Sequence, residues 1–592
     1  MAGSARHAAD AAWGKAQEEG GPPRGASRKA GTAAVDRRQR SQAKARPAPP
    51  ALLPTHPLNR QAKGRDQPVD GIELTGRTLT PEQVVLLAKG AARARIAPTA
   101  LARASASAAA AERIAARQPV YGRTTGVGAN RTQRVADGDL GHGLRLLRSH
   151  AGGIGRQVGP EATRAMLAVR ANQLLAGGAG LHPAIIEAIV QALNVNALPV
   201  IHEYGGLGTA DLTALAELGL TLVGEAPWST TAPTDGNNGS PLAPVDITSG
   251  DALALMSSSA LTIGRACLAW QQASRWISAA HAVAALSVFA LDGSTEPFSQ
   301  AVHDRRPHPS LMRSAAILRA LLADQAIKTA RIQDPYAVRC IPQVHGAALE
   351  ALGSAERTLQ VEVNVASENP LVVAGSSNDG EDTPANAPAT TTTTPTGIGI
   401  GIGIGDENEA VYHHGGFHQA LLTQSLDALN LALLSVGQLS LARLDLMFHP
   451  EFTALRPFLA DGEPASSGVM ILENAAHDAL SELRNAAMPA GLGHATLSRG
   501  VEDHTPFTSQ SARQTARAAD ALQLVLATEL VGAMRTLRLR DRKPSAVTPL
   551  ADLYAIAEAL DPRTADRSST ADVHQAASLL TLLASAAAKF ER

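Results

Sequence analysis

Leu79-Thr80-Pro81-Glu82-Gln83-Val84-Val85-Leu86-Leu87 decides the fold class, because it carries the signals of a helix start in sequence. Thr80 can accept a hydrogen bond from the amide three residues on, Pro81 suits the first helical position, and Gln83 closes a capping box. Apolar residues follow at once. Ala- and Leu-rich segments with helical periodicity then recur at 142–150, 160–176, 183–197, 210–223, 250–290, 309–330, 345–362, 408–444, 469–487, 508–540, 549–560 and 570–590. Together they predict an all-α protein, ordered from about Ile72.

Composition agrees with this reading. The chain has 592 residues, 45% of them hydrophobic and 18% charged, which is enough for a large buried core. Only 3% are aromatic, so an all-β enzyme is excluded in favour of helix packing. Cys267 and Cys340 are the only cysteines, too few for a disulfide framework or a cysteine zinc site, and they point to a reducing cytoplasm. No run of about 18 consecutive apolar residues occurs, and Met1 precedes a polar stretch, so neither a membrane span nor a secretion signal is expected.

The net charge of -1 hides an asymmetry: residues 1–65 hold 13 Lys or Arg and 4 Asp or Glu, leaving 40 basic and 50 acidic residues for the rest. Such a Pro-, Gly- and Ala-rich basic tail reads as a disordered extension, and a nucleic-acid partner is not expected. Residues 375–405 run through Ser, Asn, Pro, five consecutive Thr and a Gly-Ile repeat, which reads as a loop insertion. The repeat lacks the Gly-Lys-Ser/Thr ending of a phosphate-cradling loop.

Polar islands between the helices are where chemistry can be exposed on a rigid scaffold. They are Tyr121-Gly122-Arg123-Thr124-Thr125-Gly126-Val127-Gly128, Ser149-His150-Ala151-Gly152-Gly153, Gln333-Asp334-Pro335-Tyr336-Ala337-Val338-Arg339-Cys340-Ile341-Pro342-Gln343, Ser367-Glu368-Asn369-Pro370-Leu371, Gly415-Gly416-Phe417-His418, and Glu502-Asp503-His504. Arg339 offers a planar fork for a carboxylate and Tyr336 a phenol donor. Taken singly, the first island also reads as a structural loop and His150 as a helix-end cation. His414 and His418 have helical metal-ligand spacing, but Gly415 and Gly416 between them spoil the helix, so no metal is expected.

In this order the islands resemble the aromatic amino acid lyase family, the histidine, phenylalanine and tyrosine ammonia-lyases and related aminomutases, from about residue 72 to 540. The resemblance implies an elongated all-α bundle assembled as a homotetramer, with each active site drawn from three subunits. After the basic tail (1–71), it implies an N-terminal prosthetic-group and active-site domain (72–270) and a long-helix domain (271–592) carrying the insertion at about 375–405. The family eliminates ammonia with an electrophile called MIO, made when an Ala-Ser-Gly tripeptide cyclises and its serine loses water; no soluble cofactor is needed.

Residue by residue, the resemblance makes Tyr121 the catalytic base, Tyr336 a second phenol near the electrophile, and Arg339 the substrate carboxylate anchor, oriented by Gln333. Phe417 packs beside the prosthetic group, and Glu502 lies near the amino or imidazole group of the substrate. For Tyr121 to work at neutral pH its pKa must fall well below about 10, so a nearby cation or hydrogen-bond donors are expected. Ser-His at His150 and the carboxylate of Glu502 resemble the histidine enzymes. The implied activity is that of a histidine ammonia-lyase-like enzyme giving a propenoate. The alternatives are a tyrosine or other aromatic amino acid lyase or 2,3-aminomutase, and a prosthetic-group-free relative that binds small amino acids or serves as an assembly partner.

Two departures stand out. Aligned on Asp211-Leu212, the tripeptide falls on Gly208-Thr209-Ala210, where Thr209 keeps a hydroxyl but adds a methyl and Ala210 lacks the freedom of Gly. Where the family has an Asn contacting the prosthetic group, this chain has Ser257, which lacks the paired donor and acceptor of an amide. Both weaken the same step, so ammonia release is expected to be slow or absent.

Overall fold

The computed structural model describes residues 69–230, 242–329, 331–374 and 409–591; the basic tail and the insertion at 375–405 lie outside them. Helices carry the body. Thr80 and Gln83 form the expected capping box, Gln83 N donating to Thr80 Oγ1 at 3.2 Å and Thr80 N to Gln83 Oε1 at 3.0 Å, and start the helix Pro81–Ala88.

Four long helices set the frame: Ala260–Ala290, Ile341–Glu362, Ala420–Phe448 and Thr508–Leu539. Thr508–Leu539 packs on Ala260–Ala290 and on Ala420–Phe448, which also packs on Ile341–Glu362. Pro160–Leu175 crosses Ala260–Ala290, with Ile471–Ala486 and Thr570–Ala587 flanking the bundle. Small residues allow the close crossings: a Cβ on Gly264 would lie 2.9 Å from the backbone and Cβ of Ala165. One continuous core runs from Ile72 to Ala587, and the boundary expected at 270 falls inside the Ala260–Ala290 helix.

Strand is confined, among the described residues, to two-stranded pairs. Val69–Leu74 pairs in parallel with Ala92–Ile96 across the Pro81–Ala88 helix, and Ile154–Gln157 pairs antiparallel with His202–Tyr204. Two segments, Asp251–Ala290 and Ala420–Phe448, are long and apolar enough to cross a membrane, but in the first 89% of the most apolar window is buried inside the fold.

Four departures from expectation stand out, the simplest being that the segment expected at 309–330 ends as a helix at Leu321. Helix Pro98–Ala115 has no counterpart among the periodic segments, because its buried face is built from Ala and Ser with Ile114 as its only large apolar residue. The segment expected at 408–444 begins as a helix only at Ala420, after a strand at Ala410–Tyr412 and the Gly415-Gly416 break. The segment 250–290 splits at Ser257–Ser259 into Asp251–Met256 and Ala260–Ala290, because the Ser257 and Ser258 hydroxyls bond outside the helix.

Candidate active site

The serine break builds the floor of the site. Ser257 Oγ accepts from Asn369 N at 3.0 Å, Ser258 Oγ donates to Gln173 Oε1 at 2.6 Å, and the Ser258 carbonyl accepts from Asp211 N at 2.8 Å. Asp211 in turn caps the long helix, its carboxylate accepting from Thr262 N at 2.8 Å and Thr262 Oγ1 at 2.9 Å. The loop through Asn369 is anchored by an ion pair with no solvent access, Arg170 to Glu368 at 2.8 Å; Arg170 also donates to the Leu255 carbonyl at 3.0 Å. Burial pushes the Glu368 carboxyl up and Arg170 only partly offsets it.

The tripeptide turn sits on this floor under backbone tension. Gly208 has φ +95° and Ala210 φ +147°, a region that disfavours side chains other than Gly. The Gly208 carbonyl accepts from Gln419 N at 3.0 Å, and Ser509 Oγ donates to the Gly206 carbonyl. Through Gln419, the Gly415–His418 island is brought next to the turn, with Phe417 half-buried two residues away. His418 and His504 meet at 3.1 Å between Nε2 and Nδ1, while His414 Nε2 bonds the Glu368 carbonyl at 2.7 Å, so His414 and His418 do not converge.

Tyr121 and Glu502 come together in one chain. Gly128 turns at φ +56°, sends its N–H to Tyr121 Oη at 2.7 Å, and would place a Cβ 4.0 Å from Glu502 Oε1. Ala129 N donates to Ser498 Oγ at 3.1 Å, and the Leu497–Glu502 bridge holds the carboxylate there. His413 meets the Tyr121 ring edge-on at 6.4 Å.

The pKa of Tyr121 moves opposite to expectation. Burial raises it, the Gly128 N–H lowers it less, and the Glu502 carboxylate raises it further, against a smaller lowering by Arg131. His150 ends the helix His142–His150 with Nδ1 bonded to the Leu146 carbonyl at 2.9 Å and to Ser149 Oγ at 3.0 Å.

Gln333, Tyr336 and Arg339 lie elsewhere. The Arg339 guanidinium stacks 4.5 Å from the centre of the exposed Tyr336 ring, while Arg339 Nε and Gln343 Oε1 are buried without partners. The Ala337 carbonyl is bonded by Arg443 at 3.3 Å. Arg443 and Gln419, which holds the Gly208 carbonyl, stand near opposite ends of one helix, about 35 Å apart at 1.5 Å per residue. The anchor island is therefore remote from Tyr121 and Glu502 within a single chain.

Gln419, Asn369 and the Arg170–Glu368 pair escaped the sequence reading as site-builders. Their partners are remote in the chain; Glu368 and Asn369 stood in the Ser367–Leu371 island without an assigned role, and no local pattern announces Arg170. For Gln419 the nearest signal was its place just after Phe417-His418.

The arrangement joins a phenol, a carboxylate and a strained turn on one helical floor. The sequence pattern of the family described as aromatic amino acid lyase matches residues 79–559. A histidine ammonia-lyase of Stigmatella aurantiaca is 30% identical over 526 residues, covering 86% of this chain and 96% of that one. The solved histidine ammonia-lyase of Trypanosoma cruzi superposes with a TM-score of 0.73 at 26% identity, covering 88% of this chain and 95% of that one. The tyrosine aminomutase of Streptomyces globisporus gives 0.74 at 25%, with coverages of 88% and 98%. With matching motifs, matching fold and a family pattern spanning most of its length, this chain belongs to the aromatic amino acid lyase family.

Proposed function

We propose that this protein is a histidine ammonia-lyase-like carbon–nitrogen lyase that converts an aromatic amino acid to a propenoate and ammonia, with slow turnover. The observation that carries the reading is the Tyr121 phenol set beside the Glu502 carboxylate by the Gly128 turn. Tyr121 Oη takes the β-proton, the C–N bond breaks with its electron pair leaving on nitrogen, and the double bond forms between the α and β carbons. Glu502 holds the substrate's amino or imidazole group, and His150 borders its side chain. Phe417 packs beside the turn.

Tyr121 is a weak base while burial and Glu502 keep its proton on. A cation from another copy corrects this. Arg339 supplies it and binds the substrate carboxylate, oriented by Gln333, with Tyr336 beside it. Supporting such assembly, the exposed face of the Ala420–Phe448 helix carries Leu421, Gln424, Ala428, Leu431, Ser435, Gln438 and Ala442, uncharged until Asp445 in its last turn. The working form is a cytoplasmic homotetramer in which each copy supplies its own turn.

The family's prosthetic group does not fit these residues in its usual form. A Cβ at position 208 would lie 2.8 Å from Thr508 N, Ala210 has a side chain at a strained φ, and the Ser257 hydroxyl is spent on Asn369. Thr209 could yield only a methyl-substituted electrophile. The same crowding favours the second reading, a group-free relative that binds amino acids without lyase chemistry.

One experiment separates them. The protein is incubated with histidine, tyrosine and phenylalanine, following conjugated acid, ammonia and β-amino acid, while the peptide containing Thr209 is weighed. Slow propenoate formation from histidine, lost in Tyr121→Phe, with two waters missing from the peptide, supports the lyase. An unmodified peptide with histidine bound but unchanged supports the group-free relative, and a β-amino acid product identifies an aminomutase.

A further inference from the structure

The two-stranded ribbon of Ile154–Gln157 and His202–Tyr204 ends against a concentration of arginines that the lyase site does not use. Arg156 pairs with the buried Glu203, Nε to Oε2 at 2.5 Å. Arg513, from the Thr508–Leu539 helix, lies over the Tyr204 ring at 5.1 Å from its centre, and that ring rests on Gly155, where a Cβ would come within 2.6 Å of it. Arg265, from the Ala260–Ala290 helix, is close enough to feel both Arg513 and Arg156, and Arg517 adds a further positive charge beside Arg513.

The carboxylates within reach spend their hydrogen bonds elsewhere, though their charge reaches both arginines. Glu203 is held by Arg156, and Asp211 is buried with its oxygens on Thr262. Arg265 and Arg513, both half-buried, make no hydrogen bond among the described residues. Arg265 and Arg513 each feel the other's charge and lose hydration, and the field of Glu203 and Asp211 offsets this without a hydrogen bond to either, so a further anion between them would relieve the remainder. Tyr204 keeps Arg513 oriented and leaves its donor edge free.

We propose that Arg265, Arg513 and Arg156 form a binding site for a small, multiply charged oxyanion, either inorganic phosphate or a polycarboxylate. It adjoins the tripeptide turn: Ser509, one helical turn before Arg513, donates to the Gly206 carbonyl. An anion there stabilises the helix that straps the turn. The site does not depend on lyase activity.

The test is thermal unfolding of the full chain with increasing potassium phosphate or citrate, with ionic strength held by potassium chloride so that general screening is constant. A saturable rise in melting temperature is expected, and the anion with the lower half-saturating concentration identifies the source. Arg265→Gln and Arg513→Gln should each raise that concentration by about tenfold or more, the loss of a charge-assisted hydrogen bond. Arg275→Gln, on the same helix but outside the cluster, should leave it unchanged. Should Arg265→Gln fail to fold, Arg265→Lys keeps the charge without the fork and should give a smaller shift. No saturable rise with either anion, or a rise that survives both glutamine variants, overturns the proposal. So does a drop in assembly size in those variants without any anion response in the parent protein, which would make the cluster a contact between copies.

Discussion

At the scale of the residue, position 208 revises the obvious repair of this site. Restoring Ala-Ser-Gly would place a Cβ at 208 within 2.4 Å of Thr508 Oγ1 and 2.8 Å of Thr508 N, at a φ of +95°. Gly208→Ala should therefore cost roughly 1 to 3 kcal/mol of stability, read as a lower urea midpoint at unchanged m-value. Ala210→Gly runs the other way, relieving a strained φ. The variant expected to gain turnover keeps Gly208 and combines Thr209→Ser, Ala210→Gly and Ser257→Asn. If adding Gly208→Ala to that variant leaves both stability and rate unchanged, the crowding at Thr508 is not felt.

At the scale of the element, the ends of helices matter more than their middles. The Thr80 capping box starts the first helix, and Asp211 does the same for Ala260–Ala290 from across the fold. Thr80→Ala removes a side-chain acceptor from the Gln83 amide and should lower unfolding free energy by about 1 kcal/mol, whereas Thr80→Ser should change little. Equal losses in the two variants would mean that the methyl group, not the hydroxyl, is what counts.

At the scale of the whole molecule, the core contains ionisable groups that must stay neutral. His281 is fully buried, bonding the Ile277 carbonyl at 2.9 Å and Ser314 Oγ at 2.8 Å, and its ring meets His345 at 4.7 Å; neither His345 nitrogen has a partner. Burial pushes His281 down to about 4 and His345 well below its usual range. The unfolded chain binds protons at these sites near pH 6.5 while the folded chain does not, so stability is full above that pH and falls as pH drops towards 4. For His281 alone the loss by pH 4 is roughly 3 kcal/mol. His345→Leu removes two unpaired nitrogens at similar volume, so it should be nearly neutral at pH 8 and flatten the acid decline in the urea midpoint. An unchanged decline would place the acid sensitivity in other groups.

The local signals in the sequence were sufficient for whatever depends on near neighbours. The capping box at Thr80, the helical periodicity, the Gly turn at 128 and the breaks at Gly415-Gly416 follow from backbone preferences and side-chain reach over a few residues. The family motifs, too, were legible as short runs. Pro98–Ala115 was not, because Ala and Ser give almost no amphipathic contrast. Only the tertiary structure decided what is close in space. It brought Gln419 to Gly208, Asn369 to Ser257 and Glu502 to Tyr121, while leaving Arg339 at the far end of a long helix. It also set the direction of the Tyr121 pKa, since desolvation and the field of Glu502 depend on the surrounding packing rather than on the residue's own motif.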